Sequence, residues 1–270
     1  MQVAVLSDLH LGKKDKLDQF YRHPGTEQEL YELLDYLENH VDKIVLLGDI
    51  FETLRGTTYN KRKELLKVLK CYPKFAEKIE NKNKYTLIYG NHDPVTKDIL
   101  GAPEMFQIED GDSDILFFHG HQLDPIVEAW WVRNFDNFGI WAGGWLERFG
   151  MNLTRELNLR SKLKALSNEL IIGPFEKAAV TFGKRMNCNI VVTGHSHRPM
   201  KAEVGDGLFL NSGTRVAGRQ DLLLIDTSAN QYEVYKQFNA SSQYSGGPVP
   251  DTASGLSTNA EAPSIDRALS

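Results

Sequence analysis

The 270-residue chain has little cysteine: Cys71 and Cys188 stand far apart and form no CxxC pair. That excludes a disulfide framework as the source of stability and suits a reducing compartment, so a cytoplasmic protein is expected. An excess of positive charge is also missing. The chain has 31 Lys and Arg against 36 Asp and Glu, a net charge of −5, which argues against a general nucleic-acid coat or a polybasic membrane binder. No apolar run reaches the length of a membrane span. The opening residues, MQVAVLSDLH, lack the basic-then-apolar pattern of a secretory signal, so none is expected. What is present, 41% apolar residues, is ordinary for a globular protein of a size that can bury a core.

Residues 1–238 read as one ordered domain and 239–270 as a disordered tail, rich in Ser, Ala, Gly and Pro with a single aromatic, Tyr244. In the ordered part short apolar runs alternate with amphipathic ones. VAVLS at 3–7, KIVLLGD at 43–49, YTLIYGNHD at 85–93, DILFFHGH at 114–121 and NIVVTGHSH at 189–197 read as strands. Residues 26–40 place Leu30, Leu33, Leu34 and Leu37 at helical spacing, with Thr26 as the expected cap and Glu29 three residues on, and 61–70 is a second helix. The late runs KAEV, LFLN, DLLLID and YEVY suggest a meander. Together these predict an α/β fold whose mixed sheet or sandwich carries helices outside. Residues 125–185 show no convincing strand and read as a helical insertion.

Five of the expected strands end in a polar, metal-capable cluster: Ser7-Asp8-Leu9-His10, Gly48-Asp49, Gly90-Asn91-His92-Asp93, His119-Gly120-His121 and Gly194-His195-Ser196-His197. In α/β sheets the loops at the carboxyl ends of the strands form the ligand crevice. Side chains two apart in extended chain point the same way, so Asp8 and His10 can address one point, as can His195 and His197. A lone His or Gly-Asp after a strand is ordinarily a hydrogen-bonded residue or a turn; five such clusters in one architecture point to a common site. Carboxylate, imidazole and amide oxygen form a mixed set suited to Mn, Fe or Zn. Seven ligands are too many for one ion and fit two ions sharing a carboxylate, for which Asp49 is the choice.

The ordered set DxH, GD, GNHD, H and GHxH over residues 8–197 resembles the calcineurin-like metallophosphoesterase superfamily. The resemblance implies a two-sheet β-sandwich flanked by helices with a dinuclear site at the strand ends. It implies that Asp8, His10 and His197 hold the first metal, that Asp49 bridges, and that Asn91, His119 and His195 complete the second. His92 takes the place of the general acid. Two divalent ions, Mn first and Fe or Zn as alternatives, would clamp a phosphoryl group and activate a bridging hydroxide for in-line attack. Asp93 would orient His92 or cap its turn. Arg198, directly after His197, would contact substrate phosphate.

Within the superfamily, SDLHLG at 7–12, GDIFE at 48–52 and GHSHRP at 194–199 are most similar to the UDP-2,3-diacylglucosamine hydrolases of lipid A synthesis. That branch usually has Arg where this chain has His92, and its glycine-serine signature is only loosely echoed by Asn211-Ser212-Gly213-Thr214. A nucleotide or nucleic-acid phosphodiesterase is the alternative. A protein phosphatase is disfavoured, because Asp49 is followed by Ile50-Phe51-Glu52-Thr53-Leu54-Arg55 and not by a GDxxDR continuation. A non-catalytic scaffold is disfavoured because every motif position is filled.

All four Trp residues, Trp130, Trp131, Trp141 and Trp145, fall in the insertion. Trp131, Phe135, Phe138, Ala142, Trp145 and Phe149 recur at helical intervals and make one aromatic stripe. Packing on the domain or on a second copy in a homodimer is one reading. A lid for a phosphorylated, lipid-linked substrate, or a foot on the inner face of the membrane, is the other.

Overall fold

A computed structural model describes residues 1–55, 60–110, 113–124 and 172–238. The Trp-rich stretch and the tail expected after residue 238 lie outside the described residues, and so do the readings placed on them.

Two five-stranded sheets pack face to face. In the first, β1 (Gln2–Leu6), β2 (Lys43–Leu47) and β3 (Tyr85–Ile88) run parallel, and β9 (Leu222–Asp226) and β10 (Gln231–Tyr235) add antiparallel to β1, in the order β10-β9-β1-β2-β3. In the second, β5 (Ser113–Phe118), β6 (Ile190–Thr193) and β8 (Gly207–Asn211) run parallel, edged by antiparallel β4 (Met105–Asp110) and β7 (Met200–Val204), in the order β4-β5-β6-β8-β7. The meander expected from the four late runs is two hairpins, and they belong to different sheets. β7 and β8 close the second sheet, whereas β9 and β10 return to β1.

The apolar strands lack alternation because both faces are covered. Val3, Val5, Val45 and Leu47 meet Ile115, Phe117, Ile190 and Val192 between the sheets. Their neighbours Ala4, Leu6, Ile44 and Leu46 turn the other way, onto α1 (Thr26–His40), α2 (Lys61–Cys71) and α3 (Pro73–Glu80). On the far side Leu116, Phe118 and Val191 pack with Ala179 and Val180 of α5 (Pro174–Arg185). The result is helix, sheet, sheet, helix in layers. A short helix, α4 (Thr96–Leu100), follows the loop after β3. Helix α1 covers the sequence span expected of it, but Gly25 at φ 87 precedes it as the cap, and the Thr26 hydroxyl donates to the His23 carbonyl.

Candidate metal centre

The packing brings the carboxyl ends of β1, β2, β3, β5 and β6 to one edge of the sandwich, and each strand is followed there by one of the five clusters. Their backbone is unusual. Asp8, His10, Asp49, His195 and His197 have φ between 48 and 64°, the left-handed region that non-glycine residues rarely occupy. Such conformations persist where surrounding structure over-determines them, and they gather at functional sites.

The surroundings do so by hydrogen bonding across loops. The Asp8 N–H donates to the Gly48 carbonyl (3.1 Å) and the His10 N–H to the Asp49 carbonyl (2.9 Å). The His92 N–H donates to Asp49 Oδ1 (2.8 Å), and the His195 N–H to Asp8 Oδ2 (3.1 Å). Glycine is required where the loops touch. A Cβ on Gly48, whose φ is 80°, would stand 2.5 Å from His119 Nδ1, and one on Gly90 would collide with Asp49 Oδ1.

Three sets of side chains each bring one ligand atom per residue within 4.8 Å of one another: Asp8–His10–His197, His10–Asp49–His92 and Asp8–Asp49–His119. Asp49 Oδ2 lies 3.7 Å from His10 Nε2 and 3.3 Å from His119 Nε2, and His197 Nε2 is 3.0 Å from Asp8 Oδ1. His195 is in none of these sets; its ring stands 5.3 Å, centre to centre, from that of His119. Asp8 Oδ1, His10 Nε2, Asn91 Oδ1 and His119 Nε2 are buried without a hydrogen bond of acceptable geometry. Buried polar atoms left in that condition are costly in a protein without a ligand, and these four are lone-pair donors of the types that hold divalent transition metals. The residues therefore fit metal ions. His119 makes the fit specific: Nδ1–H donates to the Leu47 carbonyl (2.9 Å), which leaves Nε2 as the ring atom facing the carboxylates and free to bind a metal ion in exchange for its proton.

The calcineurin-like phosphoesterase family model matches residues 1–199, which hold all five clusters. The chain belongs to this family. It is a metallophosphoesterase, a hydrolase of phosphoric esters that works with divalent metal ions. No curated protein matches it significantly by sequence. Solved structures resemble it at low identity. A predicted phosphoesterase of Streptococcus pneumoniae is 17% identical, with 88% of this chain and 90% of that one covered and a TM-score of 0.42. The phosphoesterase Yfce of E. coli is 15% identical, with 87% and 92% covered and a TM-score of 0.42. Vps29 of Entamoeba histolytica, solved with zinc, is 16% identical, with 87% and 91% covered and a TM-score of 0.43.

The protein groups of this metallophosphoesterase already separate by charge. Burial opposes ionisation of Asp8, but His197 beside it holds its carboxyl down at about 2. Burial likewise opposes Asp49, and His119 and His92 more than offset it, holding the carboxyl well below 3.8. Burial pushes His195 down to about 4, with help from the charge of His119, and lowers His10 against the pull of Glu52. For His119 and His92 burial is outweighed by the carboxylates of Asp49 and Glu52 respectively, which raise them to about 10 and about 9. A bound cation opposes these last two rises directly.

Glu52, to which the sequence assigns no role, joins the cluster. It is buried, and its Oε2 lies 3.0 Å from His92 Nδ1 and 3.4 Å from His10 Nδ1. Its Oε1 accepts the N–H groups of Leu54 and Arg55. In the sequence it is only a carboxylate three residues after Asp49 in GDIFE, and nothing in that spacing pairs it with His92. Of the two roles expected of Asp93, its carboxylate makes the contacts of the turn cap and none to the His92 ring. Oδ1 accepts the Gly90 N–H (2.7 Å) and Oδ2 the N–H groups of Ile50 (2.8 Å) and Phe51 (3.1 Å), so Asp93 ties the loop after β3 to the loop after β2. Arg198 follows His197, half-buried, and makes none of the hydrogen bonds or ion pairs found among the described residues. His121 opens a short 3-10 turn, with its ring 5.5 Å from His119 and 6.1 Å from Tyr89.

Proposed function

We propose that the protein is a dinuclear phosphoesterase that hydrolyses a phosphodiester or pyrophosphate bond, with a UDP-linked acylated sugar as its substrate. The observation that carries the dinuclear reading is the sharing of carboxylates among the three ligand sets, with Asp49 Oδ2 facing His10 on one side and His119 on the other. Asp8, His10 and His197 would hold one ion, Asn91, His119 and His195 the other, and Asp49 both. The bound ions, Mn in the first instance, would supply charge to the phosphoryl oxygens and acidify water.

The chain's own residues do the rest. His92 gives Nδ1–H to Glu52, which fixes the ring and leaves Nε2–H for the departing oxygen; general acid help of this kind is worth about 10²–10⁴ in rate. Glu52 raises the pKa of that ring and steadies His10 with the same carboxylate. Asp93 holds the loop of His92 against that of Asp49. Arg198 would meet the phosphate beside His197. The substrate reading is supported by SDLHLG, GDIFE and GHSHRP, and by the missing GDxxDR continuation of protein phosphatases. His92, where the UDP-sugar hydrolases usually carry Arg, favours a nucleotide phosphodiesterase as the second reading.

A turnover panel tests both: UDP-diacylglucosamine, cyclic nucleotides, single-stranded DNA and a phosphopeptide, each with Mn and with chelator. Chelator-sensitive release of UMP from the first alone is the expected result. Turnover confined to the nucleotides moves the assignment to the second reading, and turnover indifferent to chelator contradicts a metal mechanism.

A further inference from the structure

Between β8 and β9 the chain passes through residues 212–221, beyond the span that the family model matches. Asp221 there is 1% exposed. Its Oδ2 accepts the Thr214 N–H at 3.0 Å and Arg219 Nη2 at 2.5 Å. Both donors continue to the metal centre. The Thr214 hydroxyl donates to the Asp8 carbonyl (2.9 Å), joined by the Arg215 N–H (3.3 Å), and Arg219 Nη1 donates to the His197 carbonyl (2.8 Å). One carboxylate thus governs the carbonyls of two residues whose backbones are left-handed, at φ 51 and 55°, and whose side chains meet at 3.0 Å. Gly213, at φ 80°, has no room for a Cβ against the Asp221 carboxyl, so the loop is seated closely on it.

We propose that the Arg219–Asp221 pair is a positioning clamp for the Asp8–His10–His197 half of the centre, and that it sets the affinity of that half for a divalent ion. The inference rests on the dinuclear reading above. The clamp acts through the main chain. It holds the peptide carbonyls of Asp8 and His197 at a fixed separation, and with them the strained φ angles that aim Oδ1 and Nε2 at a common point. Partners behind metal ligands typically contribute about 10–100-fold to metal affinity.

The test is a Mn titration of the chelator-stripped full chain, with free Mn followed by electron paramagnetic resonance, for wild type, Arg219→Ala, Arg219→Lys and Asp221→Asn. Arg185→Ala, an exposed arginine of α5, serves as the charge control. Arg219 is the informative position, since its side chain is 21% exposed and its loss leaves Asp221 with Thr214, whereas loss of Asp221 also withdraws a countercharge from buried Arg215. In Arg219→Ala, one of two binding steps weakens about 10–100-fold and the other holds, with the stripped protein still folded though its melting temperature falls as buried Asp221 loses its ion-pair partner. Lysine restores part of the loss and the control matches wild type. If a folded Arg219→Ala binds both ions as wild type does, or if both steps weaken together, the clamp is refuted. A wild type that takes up no Mn overturns the dinuclear reading and the clamp with it.

Discussion

At the residue scale, the pairing of His92 with Glu52 makes a defined kinetic expectation. His92→Ala lowers turnover of substrates with poor leaving groups by about 10²–10⁴, and of activated p-nitrophenyl esters far less. Glu52→Gln shifts the leaving-group dependence in the same direction by a smaller factor, because the ring remains but its charge and orientation are no longer held. Equal slowing of good and poor leaving groups in His92→Ala removes its acid role. Away from the centre, Asp18 accepts hydrogen bonds from Gly12, Lys14, Tyr21 and the Tyr72 hydroxyl. Burial raises its pKa above 3.8 despite these donors. The folded protein therefore holds this proton more tightly than the unfolded chain. The stabilisation is fully present below 3.8 and is lost as pH rises through the raised value. Urea unfolding of the stripped protein is expected to show the stability gap between wild type and Asp18→Asn widening as pH falls from neutrality toward 3.8; a constant gap counts against the raised pKa.

At the scale of elements, legibility followed burial. The strands β1, β2, β5 and β6 could be read because both faces are covered, so VAVL, KIVLL, ILFF and IVVT are unbroken apolar runs. The edge strand β4, MFQIED, escaped because Ile108 is its one buried residue. Helix α3 escaped for a similar reason: in eight residues only Phe75 and Ile79 are buried. The split of the last four strands between two sheets was not legible, since alternation tells which face is buried but not which strand is the partner. The five clusters were legible because each follows a strand that reads clearly. Glu52 was not, because its role is set by contact with His92, 40 positions away in the chain. Phe117, fully buried between the sheets, reports on this packing. Phe117→Ala is expected to cost about 3–5 kcal/mol in chemical denaturation, and a loss under about 1 kcal/mol would mean the sheets do not depend on this contact.

For the whole molecule, the layered sandwich explains why residues from position 8 to position 197 serve one site. Parallel strands from both sheets end at one edge, and the left-handed turns after them are held from behind by hydrogen bonds between loops. No helix among the described residues is long and apolar enough to cross a membrane. The central claim is that Asp49 joins two ions in one centre. The measurement that tests it most directly is the electron paramagnetic resonance spectrum of the Mn-loaded chain, with metal counted per protein, for wild type and Asp49→Asn. Two Mn per chain with an exchange-coupled signal, lost in the variant, is the result expected. A single uncoupled Mn in wild type, or a coupled pair that survives in Asp49→Asn, would contradict the account.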